Sequence, residues 1–435
     1  MQRDSMCNCE SGRPRPNLNP QDAASLPPPH QTMQAMLMTP RRAEEAISSR
    51  LTCLPIESLP LSQCVGGTLR ENIYAERDTP PFDRVSMDGI AVDSGQLRRG
   101  LRQFQVQGTQ AAGSPPLKLA HGENAIEVMT GAVLPLAADC VIPVEQYDLL
   151  DGVVSLQAEV ASTPFHNVHR RGSDSRQGAL LLKAGTLLRP PEIAVAASAG
   201  MARVRVSSQP AVMIVSTGDE LVEPGDPIAD YQVRRSNVYA CAAALRKRGF
   251  SRVGDDHLLD DEHMLMERLT LHLTTHEVLI LSGGVSMGKF DLVPKVLMQL
   301  GVEQVFHSIA QRPGKPMWFG IGPRGQSVFG LPGNPVSTLV CLIRYVVPAI
   351  AEAMGTRRAP VERLALAAPV DFRPSLTYFL PVAIEYDDWG RPWAHPRPPN
   401  GSGDFLALAG TDGFVELPPG PSTYPKGFVT SVYRW

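Results

Sequence analysis

The sequence lacks the patterns by which the commonest nucleotide-binding enzymes hold phosphate. The P-loop pattern G-x-x-x-x-G-K-[ST] does not occur in its 435 residues, and no G-x-G-x-x-G run leads from a strand pattern into a helix pattern. An NAD dehydrogenase or a P-loop kinase therefore receives little support. Basic residues are not in excess either, because 41 Lys and Arg stand against 44 Asp and Glu, for a net charge of −3. Binding to the phosphates of nucleic acid needs clustered Lys and Arg, so nucleic acid is not expected as a partner.

Paired cysteines and long apolar runs are also missing. The seven cysteines form no C-x-x-C pair, and their odd number indicates reduced thiols in a cytoplasmic protein. Cys7 and Cys9 are close enough in sequence to catch a metal ion, although surplus thiols are the simpler interpretation. The apolar run 336–350 is interrupted by Arg344 and falls short of the roughly 18 residues of a membrane span, so it predicts a buried helix. Because no apolar segment lies near the amino terminus, neither export by a cleaved signal nor a membrane partner is expected.

The length and the changes in composition predict several domains. A chain of 435 residues is too long for one hydrophobic core. The first residues are rich in Pro, Asn, Gln and Ser, which predicts a disordered tail up to a helix that starts at Pro40. The expected units are a tail at 1–40, an elongated mixed helical domain at 41–68 plus 171–208 with a helix at 190–199, a β-rich domain at 69–170, an α/β domain at 209–355 and a small β-barrel or sandwich at 360–435.

The central segment differs in kind from its neighbours. Continuous apolar runs alternate with helical patterns, which is typical of a parallel, doubly wound α/β sheet that is buried on both faces. The predicted strands are 211–216, 251–258, 278–282, 305–310, 316–320 and 328–331, and the predicted helices are 237–248, 262–272, 291–300 and 335–354. Ligands of such sheets bind outside the carboxyl ends of the strands, so the loops at those ends are the expected place for a site.

Three glycine-bearing loops follow predicted strands of this domain. Glycine lets the backbone approach a ligand and expose its N–H groups, and a following helix start favours an anion, so the loops predict a phosphate or pyrophosphate site. The candidate binding residues are Ser216, Thr217 and Gly218 in the first loop, Ser282, Gly283, Gly284 and Ser286 in the second, and Pro332, Gly333 and Asn334 in the third. One such loop could be only a tight turn, but three in one sheet, each with Ser or Asn donors, favour binding.

Charged side chains accompany the same loops. The acidic ones are Asp219, Glu220, Asp260, Asp261 and Asp291. Carboxylates beside a phosphate site are explained by a bridging Mg²⁺, although any one of them could instead cap a helix, Asp291 above all. Arg312 and Lys315 could bind the anionic end of the ligand, or they could form a solvated pair on a turn.

Two segments outside the α/β domain complete a family pattern. A turn-rich run places Asp88 on an irregular loop, and Thr130 stands at the end of a β run. The matching runs, in order, are Phe82-Asp83 with Ser86-Met87-Asp88-Gly89, Met129-Thr130-Gly131-Ala132, Gly172-Ser173-Asp174, Ser216-Thr217-Gly218-Asp219-Glu220-Leu221, Ser282-Gly283-Gly284-Val285-Ser286-Met287-Gly288 with Asp291, Pro313-Gly314-Lys315-Pro316 and Gly330-Leu331-Pro332-Gly333-Asn334-Pro335-Val336-Ser337. With them the chain resembles the molybdopterin molybdenumtransferases, that is, the bacterial MoeA proteins and the carboxyl-terminal domain of gephyrin. The second and third loops alone would also suit related pterin adenylyltransferases.

The resemblance implies an architecture and a reaction. It implies four domains per subunit and an elongated homodimer, with the active site between the α/β domain of one subunit and the β-rich domain of the other. The implied reaction inserts molybdate into adenylylated molybdopterin, with Mg²⁺ and with release of AMP. Other cofactor-synthesis proteins and target molybdoenzymes are the further partners that it suggests.

The resemblance also implies roles for particular residues. Those implied as catalytic are Asp88, Thr130 and Asp174 in the β-rich domain and Glu220 and Asp291 in the α/β domain. Mg²⁺ would be held by Glu220, Asp260 and Asp291, and Asp260 and Arg312 would line the pterin-nucleotide cleft. The dithiolene sulfurs of the ligand, not a cysteine of the protein, would take the molybdenum.

Three positions depart from the family pattern and leave a second function open. His169 stands where an Arg is expected, Ser308 where a basic residue is expected, and Ser375-Leu376 where a Gly-Arg pair is expected. The loss of these charges favours a non-catalytic, pterin-binding paralogue that acts as a scaffold or delivers the cofactor. The retained acidic residues favour the transferase, and an adenylyltransferase would leave the additional domains without a role.

Overall fold

The computed structural model describes residues 37–285 and 292–435. Nearly all of the predicted tail, together with Ser286 and Asp291, lies outside these residues. The first helix, Pro40–Ser48, begins where the sequence predicts, because Thr39 accepts a hydrogen bond from the backbone N–H of Arg42 and a proline occupies the first turn.

The chain enters and leaves the β-rich domain through one packed unit. Strand Ile56–Pro60 pairs antiparallel with Arg203–Ser207, and Ile73–Tyr74 pairs with Leu180–Leu182. The predicted helix at 190–199 is present as Pro190–Ser198. Its residue Ala196 is buried with Leu69, Leu188 and Val204 in a core of its own. A 3₁₀ turn, Leu61–Gln63, completes this unit.

The β-rich domain is built on one six-stranded sheet. In spatial order its strands are Cys140–Pro143, Gly89–Val92, Asn124–Val128, Gln103–Gln110, Val153–Leu156 and Tyr147–Leu150. Two separate cores cover its faces, one around Ile90 and Phe104 and the other around Val85 and Ile126. A helix, Ser94–Arg98, and a 3₁₀ turn, Val144–Gln146, connect its strands. A short antiparallel pair, Arg84–Val85 with Val168–His169, lies beside the sheet.

The α/β domain also has a six-stranded sheet, with helices on both faces. Its strands in spatial order are Val253–Leu258, Val212–Thr217, Val278–Ser282, Ser327–Leu331, Trp318–Ile321 and Glu303–His307, and its helices are Asn237–Arg246, Glu262–Thr275, Leu292–Gln299 and the continuous run Pro335–Ala353. A short parallel pair, Leu221–Val222 with Val233–Arg234, extends from it.

The prediction of a wholly parallel sheet is wrong at one edge. Four strands are parallel, but Trp318–Ile321 pairs antiparallel with both Ser327–Leu331 and Glu303–His307. An apolar run shows burial but not strand direction, and here too few residues separate the strands for a crossover helix. Residues 320–325, which have the spacing G-x-G-x-x-G, lie at this hairpin and open no helix.

The long apolar helix is part of the core. Residues Pro335–Ala353 are long and apolar enough to cross a membrane by length and composition, but 72% of that segment is buried inside the described structure. The middle of the helix, Leu342–Val346, forms a π turn. Pro348 has no N–H to donate to the preceding turn, which explains why the regular ladder is interrupted there.

The carboxyl-terminal domain is a closed barrel. Its strands are Arg363–Leu366, Thr377–Tyr386, Pro392–Pro396, Gly413–Leu417 and Val429–Arg434, with Gln311–Arg312 added at one side and a short outlying pair, Val370–Asp371 with Thr423–Tyr424. The ten-residue strand Thr377–Tyr386 pairs with both Pro392–Pro396 and Gly413–Leu417, which closes the ring and decides for the barrel over the sandwich. A 3₁₀ turn, Leu406–Leu408, precedes the fourth barrel strand.

Candidate functional site

The three predicted loops meet at the carboxyl edge of the α/β sheet. Their strands are neighbours, and the N–H of Gly283 donates to the carbonyl of Leu331 at 3.3 Å. Gly283 has a φ of +100°, and a Cβ there would lie 2.7 Å from the backbone oxygen of Thr217. A Cβ on Gly333 would be 3.5 Å from the Cα of Gly283. Glycine is therefore required at 283, where the first and second loops come into backbone contact.

A cleft of about 740 Å³ opens above this meeting point. Eleven of the predicted site residues line it: Ser216, Thr217, Gly218, Glu220, Asp260, Ser282, Gly283, Gly284, Pro332, Gly333 and Asn334. Its volume falls within the range of about 300–1,000 Å³ that is typical of small-molecule sites.

Asn237 joins the second and third loops and was not predicted. Its Nδ2 donates to Ser282 Oγ at 2.9 Å and to the carbonyl of Gly333 at 2.7 Å. Because a carbonyl can only accept, the atom facing Gly333 must be the amide nitrogen, which fixes the orientation of the side chain. The sequence did contain a signal, since Ser236-Asn237 opens a predicted helix at a sheet edge.

Two buried oxygen atoms at the cleft make no hydrogen bond within the described residues. They are Thr217 Oγ1 and Asn237 Oδ1. Buried polar atoms in folded proteins nearly always have a partner, so each exception calls for a specific explanation. A polar ligand at the cleft fits this observation, since both residues line it.

Arg235 is a second residue that sequence reasoning missed. It is 5% exposed, and its guanidinium donates to Ser216 Oγ at 2.6 Å and to Asp255 at 2.8 Å. It also pairs with Glu223. Burial raises the pKa of Glu223, but hydrogen bonds from Arg235 and Tyr239 outweigh burial and hold that pKa below its usual value. Arg235 thus fixes the hydroxyl of the first loop.

Glu220 and Asp260 present carboxylates to the cleft. Both are exposed, and the backbone N–H of Asp260 donates to Asp219 at 3.0 Å, which joins the two acidic loops. Gly218 has a φ of +135°, and a Cβ there would collide with the carboxylate of Glu220. The donor set suits a hard cation such as Mg²⁺, which takes carboxylate oxygens. The predicted third ligand, Asp291, lies outside the described residues, and residues 37–285 and 292–435 contain no cluster of three or more metal-ligating side chains.

Arg312 and Lys315 line a second chamber, of about 420 Å³. It adjoins the cleft, because Pro316, Pro332 and Asn334 line both. Both cations are exposed. The chamber is completed by residues of the barrel, among them Tyr378, whose pKa is raised by burial in spite of the nearby charge of Arg312.

Asp88 and Thr130 lie together in the β-rich domain, and Asp174 follows that domain in the chain. Asp88 Oδ1 accepts hydrogen bonds from the backbone N–H of Thr130 at 2.6 Å and from its hydroxyl at 2.8 Å. These bonds lower the pKa of Asp88, the backbone bond having the larger effect. Within residues 37–285 and 292–435, none of the three lines the cleft.

His169 connects Asp174 to a cation. Its Nδ1 lies 3.0 Å from a terminal nitrogen of Arg84, and its Nε2 lies 2.7 Å from Asp174 Oδ1. Arg84 can only donate, so Nδ1 accepts and Nε2 carries the proton that is donated to Asp174. The antiparallel pairing of His169 with Arg84 sets this chain of contacts. A positive charge therefore remains next to the position where the family pattern expects an Arg.

The other two departures from the family pattern lie in packed surroundings. Ser308 is buried with a φ of +83°, and its N–H donates to the carbonyl of Met317. Leu376 packs against the apolar core of the barrel.

A larger cavity, of about 910 Å³, lies elsewhere, between the first helix and the barrel. No predicted site residue lines it. Its buried Arg344 is already paired with Glu44 and Glu416 at 2.9 Å each. Because its central charges neutralise one another, the cleft at the sheet edge is the better candidate despite its smaller volume.

Comparison with known proteins gives the same picture over three successive segments of the chain. The family profile described as MoeA N-terminal region (domain I and II) matches residues 38–200, the one described as probable molybdopterin binding domain matches 213–352, and the one described as MoeA C-terminal region (domain IV) matches 363–435.

Named relatives and solved structures agree with these profiles. A molybdopterin molybdenumtransferase of Synechocystis is 42% identical over 371 residues, which are 85% of this chain and 93% of the relative. One of Haemophilus influenzae is 35% identical and covers 72% of this chain and 78% of the relative. The crystal structure of a molybdopterin biosynthesis MoeA protein from Pyrococcus horikosii has a TM-score of 0.75 at 30% identity, covering 92% of this chain and 99% of that one. The chain belongs to the MoeA family of molybdopterin molybdenumtransferases.

Proposed function

We propose that this protein is a molybdopterin molybdenumtransferase of molybdenum cofactor biosynthesis, which inserts molybdate into adenylylated molybdopterin and releases AMP. The observation that carries the proposal is the convergence of three glycine loops on one cleft, in a chain 42% identical over most of its length to a relative of that name. We place the reaction in the cytoplasm, in keeping with the reduced thiols that the cysteine pattern predicts.

Different residues of the cleft would bind different parts of the ligand. The loops at Gly218, Gly283 and Gly333 bring backbone close to the ligand, and the hydroxyls of Ser216 and Ser282 are held by Arg235 and Asn237. Arg312 and Lys315 would bind the anionic part of the ligand by charge-assisted hydrogen bonds.

Glu220 and Asp260 would hold Mg²⁺, with Asp291 as the predicted third carboxylate. The ion would neutralise charge on the pyrophosphate as AMP leaves. Without a cation between them, the carboxylates of Glu220 and Asp260 would repel the phosphates of the ligand, since like charges repel.

We infer that a second copy of the chain completes the site. Asp88, Thr130 and Asp174 do not line the cleft within the described residues of their own chain. An isologous dimer would bring these residues of one copy to the cleft of the other, twice per dimer.

The test is molybdate-dependent release of AMP from adenylylated molybdopterin in the presence of Mg²⁺. Glu220→Gln and Asp88→Asn should each abolish release. The control Glu267→Gln, on an exposed helical surface of the α/β domain, should leave release unchanged. Binding of the substrate without release of AMP by the native chain would contradict the transferase and support the non-catalytic paralogue. Transfer of AMP from added ATP to molybdopterin, with release of pyrophosphate, would instead identify an adenylyltransferase.

A further inference from the structure

Two histidines of the α/β domain contact the loops that line the cleft. His257 Nε2 lies 3.0 Å from the carbonyl oxygen of Gly218 in the first loop, and His307 Nε2 lies 3.0 Å from the carbonyl oxygen of Val285 in the second. A carbonyl can only accept, so Nε2 of each ring carries a proton and donates it. Gly218 and Val285 are among the described residues that line the cleft, whereas neither histidine is. The two rings therefore contact the loops without lining the space that a ligand would occupy.

The two histidines occupy matching places in the sheet. His257 is the penultimate residue of Val253–Leu258, the first strand in the spatial order of the six-stranded sheet, and His307 is the last residue of Glu303–His307, the last strand in that order. Two antiparallel pairings in succession restore the direction of the chain, so the strand of His307 also ends at the edge where the loops meet. One donor therefore reaches the loops from each flank of the sheet.

The strand that carries His257 is itself firmly anchored. The carboxylate of Asp256 accepts the backbone N–H of His257 at 2.9 Å and pairs with Arg268 at 2.7 Å. The backbone carbonyl of Asp256 accepts the hydroxyl of Ser216 at 3.2 Å. Two adjacent residues of one strand thus hold the first loop at two positions, Ser216 and Gly218.

The direction of the Gly218 carbonyl decides what the first loop offers to an anion. A carbonyl oxygen that points at an anion repels it, whereas a peptide N–H attracts it. Because a peptide group is planar and trans, the N–H of Asp219 points away from the carbonyl of Gly218, and hence away from His257. Gly218 has a φ of +135° and no side chain that could hold it there, so its conformation depends on the bonds that its backbone makes.

We propose that His257 and His307 are positioning residues, whose hydrogen bonds to Gly218 and Val285 keep the first and second loops in the shape that binds the adenylylated molybdopterin. The identity of the ligand rests on the proposed function. Glycine-rich segments lose much conformational freedom when they become ordered, and anchors that order them in the free protein reduce this cost on binding. The two histidines therefore act on the affinity for the ligand and not on the chemical step.

The test is the separation of KM from kcat for AMP release in variants that lack the donor. His257→Met and His307→Met keep a side chain of similar length, and each should raise the KM for adenylylated molybdopterin about tenfold with kcat unchanged. His257→Gln and His307→Gln should retain the native KM, because the amide nitrogen of Gln can donate to the same carbonyl. The matched control is His263→Met, at an exposed position of the helix Glu262–Thr275, which should change neither constant.

A role in stability alone predicts a different result. Fewer folded molecules would lower the apparent kcat, while the molecules that remain folded would keep the native KM. That pattern in both Met variants overturns the inference, and so does an equal rise of KM in the Met and Gln variants.

A second measurement uses the native chain. With isotope-labelled histidine, addition of adenylylated molybdopterin without molybdate should shift the Nε2 resonances of His257 and His307 but not that of His263. Unshifted resonances of His257 and His307 overturn the inference, and a native chain that binds no adenylylated molybdopterin contradicts the proposed function as well. Shifted resonances without AMP release contradict the transferase alone, whereas AMP release with a native KM in both Met variants contradicts the positioning role alone.

Discussion

The carboxylate of Asp88 shows how hydrogen bonds can keep an exposed side chain charged and oriented. Two donors of a single residue, the N–H and the hydroxyl of Thr130, converge on its Oδ1. Hydrogen bonds to the charged form favour that form, which is why the pKa of Asp88 lies below its ordinary value although the side chain is accessible to water. A donor pair of this kind also fixes the direction in which the second carboxylate oxygen points.

Thr130→Val distinguishes the effects of the two donors on the pKa of Asp88, because it removes the hydroxyl and keeps the backbone N–H. The pKa of Asp88 should rise but stay below its ordinary value, since the backbone bond has the larger effect. A lowered pKa favours the folded chain above the pKa of the unfolded state, and that contribution is lost as the pH falls through the folded pKa. Thr130→Val should therefore make this contribution smaller, and its loss should be complete at a higher pH than in the native chain. Carbon-detected NMR titration of the carboxylate gives the answer, and an unchanged pKa would contradict the hydrogen-bond explanation.

Gly218 lets the position of Glu220 be tested without changing its charge. Gly218→Ala places a methyl group against the carboxylate of Glu220, whereas Gly225→Ala, also at a positive φ of +100°, meets no atom within 4 Å. Both should lose about 1 kcal/mol of stability from the left-handed backbone. Only Gly218→Ala should also lower kcat/KM, by about 10- to 100-fold, because a small displacement of a positioned group is costly. Equal kcat/KM values for the two variants would show that Glu220 is not held for the reaction.

At the scale of secondary structure, the long helix depends on one buried charge. Arg344 lies in its π turn and contacts Glu44 of the first helix and Glu416 of the barrel, both at 2.9 Å. Burial by itself lowers the pKa of Arg344, but the carboxylates, Glu416 first, outweigh it and raise the pKa, so the guanidinium stays charged. Three parts of the molecule are tied together at this residue.

Arg344→Met should therefore destabilise the chain by about 3–5 kcal/mol, since it leaves Glu416 without its cation and Glu44 with only the exposed Arg358. The exposed pair Arg41–Glu45 provides the control, and Arg41→Met should cost less than about 1 kcal/mol. Urea unfolding followed by tryptophan fluorescence measures both. Adding Glu44→Gln and Glu416→Gln to Arg344→Met should recover part of the loss, and a failure to recover any would show that packing, not charge, is responsible.

The sequence predicted those elements whose signal is local. The apolar runs at 211–216 and 278–282 and the helix near 190–199 are present within one or two residues. The loops were expected to converge because parallel strands end at one edge, and they do. The small barrel at the carboxyl terminus was also predicted and is confirmed. The reversed edge strand was missed although its signal is local, since only seven residues separate the predicted strands 316–320 and 328–331. The contacts of Arg235, Asn237 and Tyr378 could not be predicted, because they join segments whose pairing the sequence alone does not give.

At the scale of the whole molecule, the residues of the proposed site come from two different parts of the chain. The cleft lies at the sheet edge of the α/β domain, while Asp88 and Thr130 lie in the β-rich domain and Asp174 just after it in the chain; none of the three lines the cleft within the described residues. Hydrogen bonds from Arg84 to His169 and from His169 to Asp174 orient the carboxylate of Asp174. The proposed sharing of one site between two chains can be tested without a structure of the dimer.

Two inactive variants should restore activity to one another when they are mixed. In a dimer of Asp88→Asn with Glu220→Gln, one shared site carries both substitutions and the other carries neither. When equal amounts of the two variants exchange subunits at random, half of the dimers are mixed. Half of the sites in the mixed dimers are intact, so about one quarter of the native AMP release should return. Mixing two preparations of Glu220→Gln provides the control and should return none. If the site were built within one chain, every site in the mixed dimer would carry one substitution, and mixing would restore no activity even though light scattering showed the dimer to be present.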